Sequence, residues 1–140
     1  MERTDLNLLL QNHLGELEHM NQFIESLDEK MQLPAGVAMT LNLALEEVVS
    51  NIIKYAFEDD GNHMIEIQFT REANLLTVKV KDDGKEFNVL KFPKPDINAA
   101  AEERNIGGLG IHFVKELMDK VEYQYKDNKN ILVLSKNLGE

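Results

Sequence analysis

The segment Leu45-Glu46-Glu47-Val48-Val49-Ser50-Asn51-Ile52-Ile53-Lys54-Tyr55-Ala56-Phe57 decides how the chain is read. The helical period puts Glu47 and Asn51, four residues apart, on one face, with Val48 and Ile52 turned elsewhere. Upstream, Val37, Leu41 and Leu45 continue the apolar side. The spacing therefore predicts a helix with Pro34 in its first turn, where a missing N–H costs nothing, and an end near Phe57. A carboxylate beside a carboxamide is a hard oxygen pair suited to Mg²⁺. Alternatively, the carboxylate can take a proton from an attacking hydroxyl or water. Taken alone, Glu-x-x-x-Asn also reads as the plain polar face of an amphipathic helix, as Glu46 does.

Working outward, residues 3–10 alternate with Leu6, Leu8 and Leu10 on one side, which predicts a strand. Asn12 is expected to cap a first helix whose stripe is Leu14, Leu17, Asn21, Ile24, Leu27 and Met31. Downstream, Asp60-Gly61 signals a turn. Ile65, Ile67 and Phe69, then Leu76, Val78 and Val80, flank a break at Arg71–Asn74 and read as a hairpin. Periodicity is lost over residues 88–106, which hold Pro93, Pro95 and a short helical candidate at Ala99-Ala100-Ala101; such a stretch is expected to be a functional lid. A third helix starts near Gly108 with Ile111, Val114, Leu117 and Met118. Val121, Tyr123 and Tyr125, then residues 131–134, close a hairpin around Asp127-Asn128. Strands in antiparallel pairs with helices between them predict a two-layer α/β sandwich with helices on one sheet face.

At 140 residues and 43% hydrophobic content the chain suits one domain, 1–140, with one core. It has no cysteine, which excludes disulfides and thiolate zinc sites and fits a cytoplasmic protein. No apolar run reaches the length of a membrane span or signal segment. A formal net charge of −10 would repel a polyanion and argues against a general nucleic-acid binder. His13, His19, His63 and His112 are scattered without metal-ligand spacing and read as surface or helix polar residues.

Two further clusters carry chemistry. Asp82-Asp83-Gly84-Lys85-Glu86-Phe87 follows a strand; an Asp there can accept a hydrogen bond from an exocyclic amine, and Gly84 lets backbone approach a flat base. An ordinary Asp-Gly turn is the plainer reading. Gly107-Gly108-Leu109-Gly110 precedes a predicted helix, where exposed N–H groups and the helix dipole suit phosphate.

The order of these clusters is specific: Glu-x-x-x-Asn on a helix, Asp-x-Gly after a hairpin, a lid, then Gly-x-Gly opening a helix. Over residues 10–136 the chain resembles the Bergerat-type ATP-binding superfamily of gyrases, heat-shock chaperones, histidine kinases and mismatch-repair ATPases. Its Leu45–Phe57 segment is similar to the N box of anti-sigma factor serine/threonine kinases of partner switches. The resemblance implies a mixed, mostly antiparallel sheet with helices on one face. It also implies Glu47 as catalytic base, Asn51 as magnesium ligand and Asp82, with Gly84, at adenine. Gly108 and Gly110 would lie at the phosphates, and Arg104 would be the lid arginine near the terminal phosphate. The implied activity is transfer of the ATP γ-phosphoryl group, with Mg²⁺, to a serine or threonine of an anti-anti-sigma (STAS-type) protein. The kinase would otherwise sequester a sigma factor, and the first strand and helix could support a homodimer. An ATP-gated binding module without kinase activity is the alternative. The sequence departs from the pattern at Glu86, where many members have a second glycine. It also lacks a Gly-Thr at Asn128-Lys129-Asn130-Ile131, and Arg104 lies further from Gly-x-Gly than expected.

Overall fold

Leu6, Leu8 and Leu10 do point to one side of a strand, β1 (Arg3–Gln11). The computed structural model describes residues 3–59, 61–91 and 108–139. Most of the expected lid, with Ala99–Ala101 and Arg104, lies outside the described residues. After β1 come α1 (Glu16–Lys30), α2 (Val37–Tyr55), the hairpin β2 (Met64–Glu72) and β3 (Leu75–Asp82), and a short 3-10 turn (Val89–Lys91). Then follow α3 (Gly108–Leu117) and the hairpin β4 (Lys120–Lys126) and β5 (Lys129–Asn137).

The strands form one sheet in the order β1-β2-β3-β5-β4, and each of these pairings is antiparallel. Register aligns side chains in rows across it. One row runs Leu6, Phe69, Val78, Leu134, Val121, and the next Leu8, Ile67, Val80, Leu132, Tyr123. These rows face the helices. Met20, Ile24 and Leu27 of α1, Leu41, Leu45 and Val48 of α2, and Ile111 and Val114 of α3 are buried with them. Burying each such side chain contributes about 1.5–3 kcal/mol. The third row, Leu10, Ile65, Asp82, Asn130, Tyr125, is where the core turns polar.

Three local expectations are corrected. Asn12 does not cap α1, whose N-cap is Gly15 without a side-chain bond. Asn12 instead joins distant chain: Nδ2 donates to the Gly61 carbonyl at 3.1 Å, and Oδ1 accepts from the His63 N–H at 3.0 Å. Leu14 consequently precedes the helix and is exposed, while Met20 supplies the first fully buried contact. Pro34 lies ahead of α2; Gly36, at φ 87°, is the N-cap, a left-handed conformation that glycine adopts without strain. The closing hairpin turns where expected, with Asp127 and Asn128 both at positive φ, as a two-residue turn matched to strand twist requires.

Candidate functional site

Two groups of polar side chains lie toward the C-terminal end of α2. Glu47 is half-buried and Asn51 buried, and Asn51 Nδ2 donates to Glu47 Oε2 at 2.8 Å. That bond orients the carboxamide: Asn51 Oδ1 is left over, and no hydrogen bond among the described residues uses it. A carboxylate and a carboxamide oxygen side by side fit a hard cation such as Mg²⁺. Among the described residues no cluster of three His, Asp or Glu side chains could hold a metal unaided. A cation here would therefore complete its shell with substrate phosphates and water, the habit of Mg²⁺.

The second group sits where β3 ends. Asp82 is 3% exposed on the helix-facing side of the sheet. Its Oδ1 accepts from the Gly84 N–H at 2.8 Å and from Asn130 Nδ2 at 2.9 Å. Among the described residues every hydrogen bond to this carboxyl lands on Oδ1, so Oδ2 is the acceptor still on offer. Burial pushes the Asp82 carboxyl up, with a smaller push from Asp83, while the bonds from Asn130 and Gly84 and the charge of Lys129 pull it down.

The two groups are joined through the end of α2. The Lys85 N–H donates to the Ala56 carbonyl at 2.9 Å. A Cβ on Gly84 would lie 2.5 Å from that same oxygen and 3.0 Å from its carbon. Gly84 is thus required for the turn to close on the helix, a role separate from any approach to a base. The rings of Tyr55 and Phe87 add a contact at 6.3 Å. Ala56 follows Asn51 by five residues, about 7.5 Å along a helix. Both groups thus depend on one rigid element.

Gly108 and Gly110 are the first and third residues of α3, inside the helix rather than ahead of it, and α3 packs on α2. Gly107 and Arg104 fall outside the described residues. Glu86 is exposed on the turn after β3.

Two residues escaped the sequence reading. Asn130 is buried against Asp82, and its only signal was the departure from Gly-Thr at that point. His63 does more than solvate a surface. Its Nε2 lies 2.8 Å from Asp59 Oδ1 and its Nδ1 3.2 Å from Asp83 Oδ1, and the ring stacks on Phe57 at 4.5 Å. The bond to Asp59 is the chief cause that holds the imidazole above its ordinary pKa; burial opposes it, and Asp83 reinforces it. His63 thereby ties the segment after α2 to the residue beside Asp82.

A family model described as a histidine kinase-like ATPase domain matches residues 10–136. The chain belongs to that family. Among curated members it is similar to the serine-protein kinase RsbW of Listeria monocytogenes, 29% identical over 104 residues, covering 71% of this chain and 66% of that protein. It is also similar to the serine/threonine-protein kinase BtrW of Bordetella bronchiseptica, 21% identical over 113 residues, covering 81% and 80% of the two chains. The match thus spans just under two thirds of the length of the Listeria relative. Among solved structures, the histidine kinase AdeS of Acinetobacter baumannii shares the fold, with a TM-score of 0.51 at 12% identity over 96% of this chain and 68% of that one. No helix among the described residues is long and apolar enough to cross a membrane.

Proposed function

We propose that residues 1–140 form one ATP-binding domain that acts as a serine/threonine protein kinase. It transfers the γ-phosphoryl group of ATP to an anti-anti-sigma protein and, when that partner is absent or phosphorylated, holds a sigma factor. Family membership and the kinase names of RsbW and BtrW support the enzyme class. The observation that carries the reading is the Glu47–Asn51 bond of 2.8 Å on the helix whose end is clamped to the Asp82–Gly84 turn.

Each residue has a stated task. Asp82 Oδ2, which takes no hydrogen bond among the described residues, accepts from the exocyclic amine of adenine. Glu47 takes the proton of the attacking serine or threonine hydroxyl. As that hydroxyl oxygen bonds to the terminal phosphorus, the bond from phosphorus to ADP breaks, and ADP leaves with the electron pair. Asn51 Oδ1 would hold Mg²⁺, and the ion would supply charge neutralisation at the phosphates. Gly108 and Gly110, opening α3, present backbone N–H groups and the positive helix end to phosphate. To Arg104, outside the described residues, the family resemblance assigns the terminal phosphate. Phosphate added to the partner would bring negative charge against a protein of net charge −10 and favour its release.

The test is incubation of the protein with labelled ATP, Mg²⁺ and candidate anti-anti-sigma proteins from its own genome. Label on a partner serine or threonine is expected. A protein that labels none of them, yet changes partner affinity when ATP is added, is instead an ATP-gated binding module.

A further inference from the structure

Asn130 uses its whole side chain. It begins β5 directly opposite Asp82 in the sheet register and is 4% exposed. Nδ2 donates to Asp82 Oδ1 at 2.9 Å and to the Lys85 carbonyl at 2.8 Å. Oδ1 accepts from the Phe87 N–H at 2.9 Å and from the Tyr123 hydroxyl. The orientation of the amide is dictated, because the Phe87 N–H can only donate and the Lys85 carbonyl can only accept. One carboxamide therefore joins β3, β4, β5 and the turn after β3.

We propose that Asn130 is the positioning residue for base recognition: it occupies Oδ1 of Asp82, leaves Oδ2 as a pure acceptor, and so makes the site choose an amine over a carbonyl on the base. The proposal rests on the reading of Asp82 as the base contact. An ionised carboxylate only accepts, which suits the amine of adenine. A protonated carboxyl presents an O–H donor, which suits the carbonyl at the same position of hypoxanthine or guanine. Burial drives Asp82 toward the second form, and the two donors on Oδ1 oppose it. The other charged or titratable groups around this end include Asp83, Lys85 and Glu86 on the turn, Tyr123 and Tyr125 on β4, and His63, Glu66, Lys81 and Lys129 beside the strand ends. None of these is hydrogen-bonded to Asp82, so the direct control lies with Asn130 and the Gly84 N–H.

The test compares ATP with ITP, which carries the carbonyl in place of the amine, by calorimetry from about pH 5 to 8. The proteins are wild type, Asn130→Asp, Asn130→Ser and Asp82→Asn. Asn130→Asp keeps the size but replaces the donor with a second carboxyl, so the pair must share a proton. Its ATP-to-ITP affinity ratio should fall about tenfold or more, and its loss of ATP affinity on acidification should begin at a higher pH than in wild type. Asn130→Ser retains one hydroxyl donor and should recover part of both. Equal losses for ATP and ITP with an unmoved pH profile would mean a purely structural role and overturn the proposal. If neither Asn130 variant folds, the carboxyl carbon shift of Asp82 in labelled wild-type protein decides: ionised at neutral pH is expected, protonated overturns it. Should wild type not prefer ATP, or Asp82→Asn bind ATP as well as wild type, the base reading itself falls, and this proposal with it.

Discussion

Glu47–Asn51 and Asp82–Asn130 are the same chemical pair, a carboxylate accepting from a carboxamide, at 2.8 and 2.9 Å. They are built in opposite ways. The first is local, four residues apart on one helix, half-buried at the carboxylate, and leaves an amide oxygen that no hydrogen bond among the described residues uses. The second joins two strands across 48 residues of sequence, is buried at both ends, and its amide is saturated by four bonds. A pair with a spare oxygen can take a cation and let its carboxylate take a proton. A pair with a saturated amide can only hold one geometry. On the proposed reading, the contrast separates the end that would change state during transfer from the end that would frame a fixed recognition surface.

The largest expected effect falls on the first pair. Glu47→Gln keeps the size of the side chain and removes the proposed base, so phosphoryl transfer should drop by about 10²–10⁴-fold while nucleotide still binds. Asn51→Ala removes the proposed metal ligand instead and should weaken Mg-nucleotide binding and transfer together. Single-turnover assays alongside calorimetry read both. Next is Gly84→Ala. Its Cβ would meet the Ala56 carbonyl at 2.5 Å, backbone that cannot swing away, so destabilisation at the upper end of roughly 1–3 kcal/mol is expected by urea unfolding. Unchanged stability would mean that the turn is free to leave α2.

Asp82→Asn should weaken ATP by about 1–3 kcal/mol and GTP hardly at all. Its effect on the empty fold runs the other way. Burial raises the folded-state pKa of Asp82 above its ordinary value of 3.8, so the folded protein binds that proton more tightly than the unfolded chain. This contribution to stability is present in acid and is lost as pH rises through the raised value. At neutral pH the unliganded variant should therefore melt above wild type, an advantage that vanishes in acid. A lower melting point at neutral pH would mean that Asp82 holds the fold rather than the ligand.

The smallest effect belongs to His63. With its pKa raised above 6.5, its stabilisation is complete below the ordinary histidine range and lost as pH rises through the folded value. His63→Gln should flatten the pH dependence of the melting temperature on the alkaline side of that range, and a dependence identical to wild type would remove the Asp59–His63–Asp83 bridge as its cause.

The same contrast explains what the sequence could disclose. Glu47 and Asn51 were legible because helical spacing alone makes i and i+4 neighbours. The β2–β3 and β4–β5 hairpins and the helix-facing rows were legible because alternation and turn chemistry are local. Asn130 was not, since nothing in Asn128-Lys129-Asn130-Ile131 says which residue of β3 lies opposite; strand register across 48 residues decides it. Asn12 and His63 failed likewise. Asn12 looks like a cap in its own neighbourhood, yet its amide is spent on Gly61 and His63, and His63 reaches Asp83 only once β2 lies beside β3. Pro34 misled for a different reason: the left-handed Gly36, two residues on, starts the helix instead.

The most direct test of the division between a recognition end and a reacting end is paired. ATP affinity and single-turnover transfer to a cognate anti-anti-sigma protein would be measured on the same preparations of wild type, Glu47→Gln and Asp82→Asn. Glu47→Gln should bind ATP like wild type and transfer about 10²–10⁴-fold more slowly. Asp82→Asn should bind ATP weakly and, once saturated, transfer near the wild-type rate. Transfer at the wild-type rate by Glu47→Gln, or a loss of binding and transfer together in both variants, would contradict it.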